Sequence, residues 1–98
     1  IIAAIDRKVA LDDIAISKGI EFDELLDAIE AIVYSGTELN IDYYLQSEMY
    51  EEDLEEIYNY FKNSDTDSIE AAIDELGGDY DEEMIRLVRI KFISEMAN

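Results

Sequence analysis

The chain has 98 residues, which suits one domain with a modest hydrophobic core. It carries 26 acidic and 7 basic side chains, and its formal net charge of −19 argues against nucleic acid or an anionic membrane as a direct partner. It has no cysteine, no histidine and no proline, which excludes a disulfide framework and a thiolate metal site and favours a mainly helical chain.

The first residues predict the end of a helix. Ile1, Ile2, Ile5 and Val9 recur at helical spacing from the very start of the sequence. Because this apolar pattern is already under way at Ile1, we expect the sequence to be a piece of a longer protein. The same four residues could also form a face for a homodimer.

Residues 10–36 predict a helix-turn-helix. Ile14 and Ala15 form a short apolar face, Gly19 can adopt the left-handed backbone of a tight turn, and Ile20 directs the chain back to the core. The second helix has six apolar residues on one face: Phe22, Leu25, Leu26, Ile29, Ile32 and Val33.

The outer face of this second helix is acidic, and no Lys or Arg occurs between Gly19 and Phe61. In a DNA-reading unit the second helix lies in the major groove, where carboxylates are repelled by the phosphates. We therefore predict that the motif is a fold element here. The acidic positions are Glu21, Asp23, Glu24, Asp27 and Glu30.

Residues 37–43 alternate between apolar and polar, which predicts a short extended segment where a winged helix has its wing. The second half, about residues 48–97, predicts a small helical bundle. It has an acidic helix over Glu51–Lys62, a short helix capped by Asp67 with Glu70 in a capping box, and a widely apolar last helix ending near Met96. The predicted fold is thus a single mainly α domain over residues 1–98, winged-helix-like in its first half.

The sequence suggests no chemistry of its own. A stretch that opens at Asp65 is similar to the start of a calcium loop, but Glu70 and Leu76 stand where such a loop needs a glycine and a bidentate glutamate. No nucleophile, oxyanion site or phosphate-binding glycine loop is evident. We expect no catalysis, metal or cofactor in this sequence.

Two kinds of contact surface remain possible. The acidic outer faces could dock on a basic protein surface, with Tyr44, Tyr50 and Tyr60 as anchors. On the second acidic helix the candidates are Glu52, Glu55 and Glu56. Alternatively, six bases could converge into a DNA-binding patch, although Arg86 and Arg89 share a face with Glu82 and could pair within their helix. These bases are Arg7, Lys8, Lys18, Arg86, Arg89 and Lys91.

The order of these motifs resembles the helix-turn-helix domain at the extreme C-terminus of some RecQ-type ATP-dependent DNA helicases. The pairs Ile14-Ala15 and Gly19-Ile20, residues 36–43, and Tyr80 followed by residues 85–88 carry the resemblance, which covers nearly the whole chain. It implies a non-catalytic appendage of an enzyme that unwinds DNA in recombination and repair. ATP and magnesium would bind only to motor domains outside this sequence.

The resemblance also implies where the chain acts. Its partners would be the rest of the helicase chain or a basic repair protein, and it would reach DNA only through its parent. The parent would be cytoplasmic and associated with the bacterial nucleoid. No apolar run in the sequence is long enough to span a membrane.

Overall fold

The computed structural model describes residues 1–96, and seven helices with no strand occur in this part of the chain. None of these helices is long and apolar enough to cross a membrane. The mainly α fold class is therefore confirmed. The helices are α1 Ile2–Asp6, α2 Leu11–Lys18, α3 Phe22–Tyr34, α4 Asp42–Glu48, α5 Glu51–Asn63, α6 Ile69–Leu76 and α7 Glu82–Met96.

Helices α2 and α3 form the predicted helix-turn-helix. Gly19 ends α2 with φ +68°, a left-handed conformation that costs glycine nothing. The backbone N–H of Glu21 donates to Glu24 Oε1 at 3.2 Å, so the first turn of α3 is closed by a side chain. The apolar face of α3 then packs into the first core, where Leu25, Leu26 and Ile29 are fully buried.

Residues 37–41 are irregular, so the extended segment does not form a wing, and Asp42 and Tyr43 already belong to α4. Leu39 and Ile41, two of the apolar residues in this alternation, are buried. Instead of a neighbouring strand, Ser94 of α7 binds the backbone of Leu39. Its Oγ accepts from the Leu39 N–H at 2.8 Å and donates to the Leu39 carbonyl at 2.9 Å.

Helix α7 belongs to both cores. Its residues Leu87, Ile90 and Ile93 complete the first core, while Ile85 and Val88 lie in the second core with α5 and α6. Helix α7 is thus the helix that joins the two cores. The cap of α6 is one residue later than predicted, because the Ala71 N–H donates to Ser68 Oγ and not to Asp67.

Most residues of the predicted dimer face at the N-terminus pack against the first core of the same molecule. Ile5 is buried in the first core, and Ile1 and Val9 pack against it. Of the four residues, Ile2 alone is exposed, since α1 is too short to present two apolar faces. These residues therefore do not form a free apolar surface.

Candidate partner-binding surface

One flank of α3 carries a stripe of polar side chains that α7 approaches. Asp23, Asp27, Glu30 and Tyr34 follow each other at spacings of three or four residues, which places them in a row on a helix. Because α7 packs against α3, its arginines reach this row. The stripe is therefore partly enclosed by the chain itself.

Arg86 is the centre of the contact. Its Nη2 donates to Asp27 Oδ1 and to Glu30 Oε1, both at 2.7 Å, and its Nε donates to Glu30 Oε1 at 3.0 Å. Asp23 Oδ1 lies 3.7 Å from Nη1. Burial alone would lower the pKa of Arg86, but the hydrogen bonds and charges of Glu30 and Asp27 outweigh burial and raise it. The Arg86 side chain is only 13% exposed.

Arg89 extends this contact to the loop before α6. Its Nη1 donates to Glu30 Oε2 at 3.3 Å, its Nε donates to the backbone carbonyl of Asp67 at 2.5 Å, and its Nη2 donates to the Tyr34 hydroxyl. The Tyr34 hydroxyl in turn donates to Asp67 Oδ2 at 3.3 Å. We call Asp23, Asp27, Glu30, Arg86 and Arg89 the α3–α7 ion-pair cluster.

Lys91 also forms ion pairs, on another side of α7. Its Nζ donates to Asp42 Oδ1 of α4 and to Glu95 Oε1, both at 2.8 Å. Burial lowers the pKa of Lys91, but these two hydrogen bonds reverse the effect and raise it.

Arg86, Arg89 and Lys91, the predicted DNA contacts, are all engaged in ion pairs within the chain, and DNA contact by them stays a prediction. Arg86 and Arg89 pair with carboxylates of α3, and Lys91 pairs with Asp42 of α4 and Glu95 of α7. The predicted pairing of the two arginines with Glu82 does not occur in the described chain. The helical spacing of α7 could not reveal the carboxylates of α3 and α4, because these lie on other helices that only the tertiary fold places beside α7. The other four bases lie exposed along or just beyond helix ends: Arg7, Lys8, Lys18 and Lys62.

Some of the acidic residues predicted to bind a partner form hydrogen bonds within the fold, and others are exposed. Glu21 and Glu24 close the first turn of α3, and Glu56 accepts a hydrogen bond from the Tyr80 hydroxyl at 2.7 Å. This bond raises the pKa of Tyr80 to about 12. Glu52 and Glu55 remain exposed on the outer face of α5.

Two of the three predicted tyrosine anchors are buried or half-buried. Tyr44 is buried in the first core with its ring 6.3 Å from Phe22, because the unexpected helix α4 turns it inward. Tyr60 is half-buried against the ring of Phe61 at 5.3 Å. Tyr50 is the remaining anchor, with 81% of its surface exposed.

A groove that sequence reasoning missed lies beside Tyr50, where α4 ends and α5 and α7 begin. Its open volume is about 520 Å³. Within the described chain neither Lys nor Arg lines it. We call it the methionine groove, and its lining residues are Gln46, Ser47, Glu48, Met49, Tyr50, Asp53 and Met84.

An acidic cleft lies at the same end of α7. Asp23, Asp81, Glu82, Glu83 and Arg86 line it. Burial raises the pKa of Glu83, and the negative charges of Asp81, Asp23 and Glu48 raise it further. The proximity of Glu48 to Glu83 connects the acidic cleft electrostatically with the methionine groove.

Comparison with known proteins agrees with the first half of this architecture. A protein family described as the RecQ-1-like helix-turn-helix domain matches residues 1–45. The matched range contains α1, α2 and α3 and the first turn of α4. No curated protein matches the chain.

Proposed function

Because residues 1–45 match the RecQ-1-like helix-turn-helix domain, we propose that this chain is an accessory domain of a RecQ-type ATP-dependent DNA helicase that docks on a basic protein surface. The surface would belong to the helicase itself or to a repair partner. The domain would catalyse nothing, and ATP and magnesium would bind only to the motor domains. Through its parent it would act in the cytoplasm, at the nucleoid.

The α3–α7 ion-pair cluster is the observation that carries this proposal. A DNA-reading helix-turn-helix directs the exposed side of its second helix into the major groove. Here α7 covers one flank of that side, and Arg86 is bound to Asp27 and Glu30. The side chains of Asp23 and Asp27 stay 83% and 74% exposed beside these ion pairs, so carboxylates of α3 would face the phosphates of a groove.

The charge left outside the cluster supports a basic protein partner. Three of the seven bases are engaged in ion pairs, whereas Glu51, Glu52 and Glu55 are exposed together on α5. Such a surface attracts a basic partner and accelerates its association at low ionic strength.

The direct test is titration of this domain with the remaining part of its parent helicase, followed by light scattering and calorimetry. We expect a complex that is tighter at about 0.05 M than at about 0.15 M salt, because screening weakens attraction between exposed charges. The double variant Glu52→Gln/Glu55→Gln should bind more weakly. Absence of a complex at both salt concentrations would contradict the proposal.

A fluorescent forked DNA provides the second arm of the test. We expect no binding by the isolated domain at low salt, the condition in which phosphate contacts are strongest. Salt-sensitive binding would instead favour an auxiliary DNA-binding module, with contacts from the exposed bases Arg7, Lys8 and Lys18.

A further inference from the structure

The methionine groove has an apolar surface that the fold leaves partly uncovered, because Met49 and Met84 pack against the cores and are only half-buried. Met49 lies at the junction of α4 and α5, Met84 lies in the first turn of α7, and Tyr50 projects beside them. Tyr50 has the largest exposed fraction among the exposed large hydrophobic residues of the described chain. Exposed tyrosines next to pockets are common as anchors in protein interfaces.

Charge identifies the kind of occupant. Glu48 and Asp53 line the groove, and Glu83 of the neighbouring acidic cleft lies close enough to Glu48 for their charges to interact. No lysine or arginine among the lining residues neutralises them in the part of the chain described. A second copy of the chain carries the same net charge of −19 and would be repelled.

We propose that the methionine groove binds a short basic segment of the partner protein, an inference that rests on the docking function proposed above. One apolar side chain of the segment contacts Met49, Tyr50 and Met84. Its lysine or arginine side chains pair with Glu48 and Asp53. Methionine side chains are flexible and polarizable, so the groove can adapt to apolar side chains of different shape.

The three methionines of the chain allow a direct test with an internal control. The domain is labelled with ¹³C in its methionine methyl groups and titrated with a synthetic helical peptide of about 14 residues, roughly four turns, with leucines on one face and lysines on the other. We expect the Met49 and Met84 signals to move. Met96 lies about three turns further along α7 and should not respond.

Peptide controls separate recognition from general attraction. A scrambled peptide of the same composition presents no apolar face, and we expect it to bind at least about tenfold more weakly, in the range of a lost anchor residue. Equal binding of both peptides, or equal shifts of all three methionine signals, would overturn the proposal.

Substitutions of groove residues in the protein provide a second test. Tyr50→Ala should weaken binding of the helical peptide about tenfold or more. Ile16→Ala removes an apolar side chain of similar exposure, 76%, from α2 and should have no effect. The double variant Glu48→Gln/Asp53→Asn should weaken binding more than the matched pair Glu38→Gln/Asp65→Asn, whose exposed carboxylates are not among the lining residues of the groove. Equal losses within either pair would contradict the assignment.

The same variants keep this inference separate from the docking function. If the parent helicase binds the domain and Tyr50→Ala binds equally well, docking stands and the methionine groove is not the site. If the parent binds neither form, the docking function fails, and the methionine signals alone then decide whether the groove recognises a basic segment.

Discussion

The carboxylate of Glu30 holds two arginines at once. Oε1 accepts from Arg86 Nε at 3.0 Å, and Oε2 accepts from Arg89 Nη1 at 3.3 Å. The Glu30 side chain is 19% exposed, so both guanidinium groups are compensated largely away from water. Removal of one partner from a buried ion pair is costly because the remaining charge stays desolvated.

We therefore expect Glu30→Ala to lower the free energy of unfolding by about 2 to 3 kcal/mol, measured by urea denaturation followed by circular dichroism. Glu55→Ala is the matched control, since it makes the same change on the exposed face of α5. That control should stay within about 0.5 kcal/mol of wild type. Similar losses in both variants would show that the α3–α7 ion-pair cluster contributes little.

Lys91 gives a prediction that depends on pH. Its pKa in the folded state is raised above 10.5, chiefly through the hydrogen bonds to Asp42 and Glu95 that outweigh burial. Its contribution to stability is therefore fully present below pH 10.5 and is lost as pH rises through the folded-state value.

We expect Lys91→Met to be about 1 kcal/mol less stable than wild type at neutral pH, because the carboxylate partners are partly exposed. The two proteins should converge in strongly alkaline solution. Urea denaturation at a series of pH values measures this difference. A difference in the free energy of unfolding that stays constant through the alkaline range would contradict the ion pairs assigned to Lys91.

The ion pairs that join α7 to α3 and α4 could not be predicted from the sequence, whereas Lys91 and Glu95 stand four residues apart on α7 itself. Arg86 lies 59 residues from Asp27 and 56 from Glu30, and Lys91 lies 49 from Asp42. Helical spacing reports neighbours within one helix, so it pointed to Glu82 of the same helix as the partner of the arginines. The one available signal was that Arg86 and Arg89 interrupt a widely apolar helix.

The turn between α2 and α3 was predictable because the residues that indicate it are close together in the sequence. Gly19 adopts φ +68°, and an added Cβ would meet no atom within 4 Å. Substitution there changes backbone energy without a steric clash.

Gly19→Ala should accordingly lower the free energy of unfolding by about 1 to 2 kcal/mol. Gly78→Ala is the control, since Gly78 also has open space around it and has no positive φ. Thermal unfolding followed by circular dichroism compares the two variants. If both were equally stable, the strain at Gly19 would be refuted.

Helix α4 was not predicted, because the segment is short and its residues alternate like those of a strand. Leu39, Ile41 and Tyr43 alternate with polar residues, a pattern that is typical of strands, and the consecutive residues Tyr43, Tyr44 and Leu45 show no helical spacing. A helix of seven residues contains too few turns to show its own period. The error in the position of Tyr44 follows directly from the missing helix.

The whole molecule depends on the sharing of α7 between two cores. The family match ends at residue 45, yet the first core also needs Leu87, Ile90 and Ile93. A peptide of residues 1–45 would expose the surface that these side chains cover, and its helices are too short to be stable alone.

We expect residues 1–45 alone to be largely unfolded, with weak helical circular dichroism and poorly dispersed amide proton signals. The 98-residue chain, measured under the same conditions, should unfold in a single transition. A well-dispersed spectrum from the short peptide would show that the helix-turn-helix is independent of α7.

Net charge makes a prediction for the whole molecule too. The described chain extends 33 × 27 × 22 Å, and the screening length is about 30 Å at 0.01 M but about 8 Å at 0.15 M ionic strength. At low salt nearly all carboxylates therefore repel each other, whereas the partly buried ion pairs are screened less by added salt.

The midpoint of thermal unfolding should consequently rise between about 0.01 M and about 0.15 M sodium chloride, by a few degrees if about 1 kcal/mol of repulsion is relieved. Differential scanning calorimetry measures this shift. A falling midpoint would mean that the ion pairs outweigh the repulsion among the carboxylates.

The bond pair between Ser94 and Leu39 has a consequence for aggregation. Unpaired N–H and C=O groups along an extended segment are a template on which a second chain can add a strand. At Leu39 both groups are occupied by one hydroxyl from α7. The irregular segment between α3 and α4 therefore withholds these two groups from a neighbouring molecule, which protects a protein rich in apolar side chains from association edge to edge.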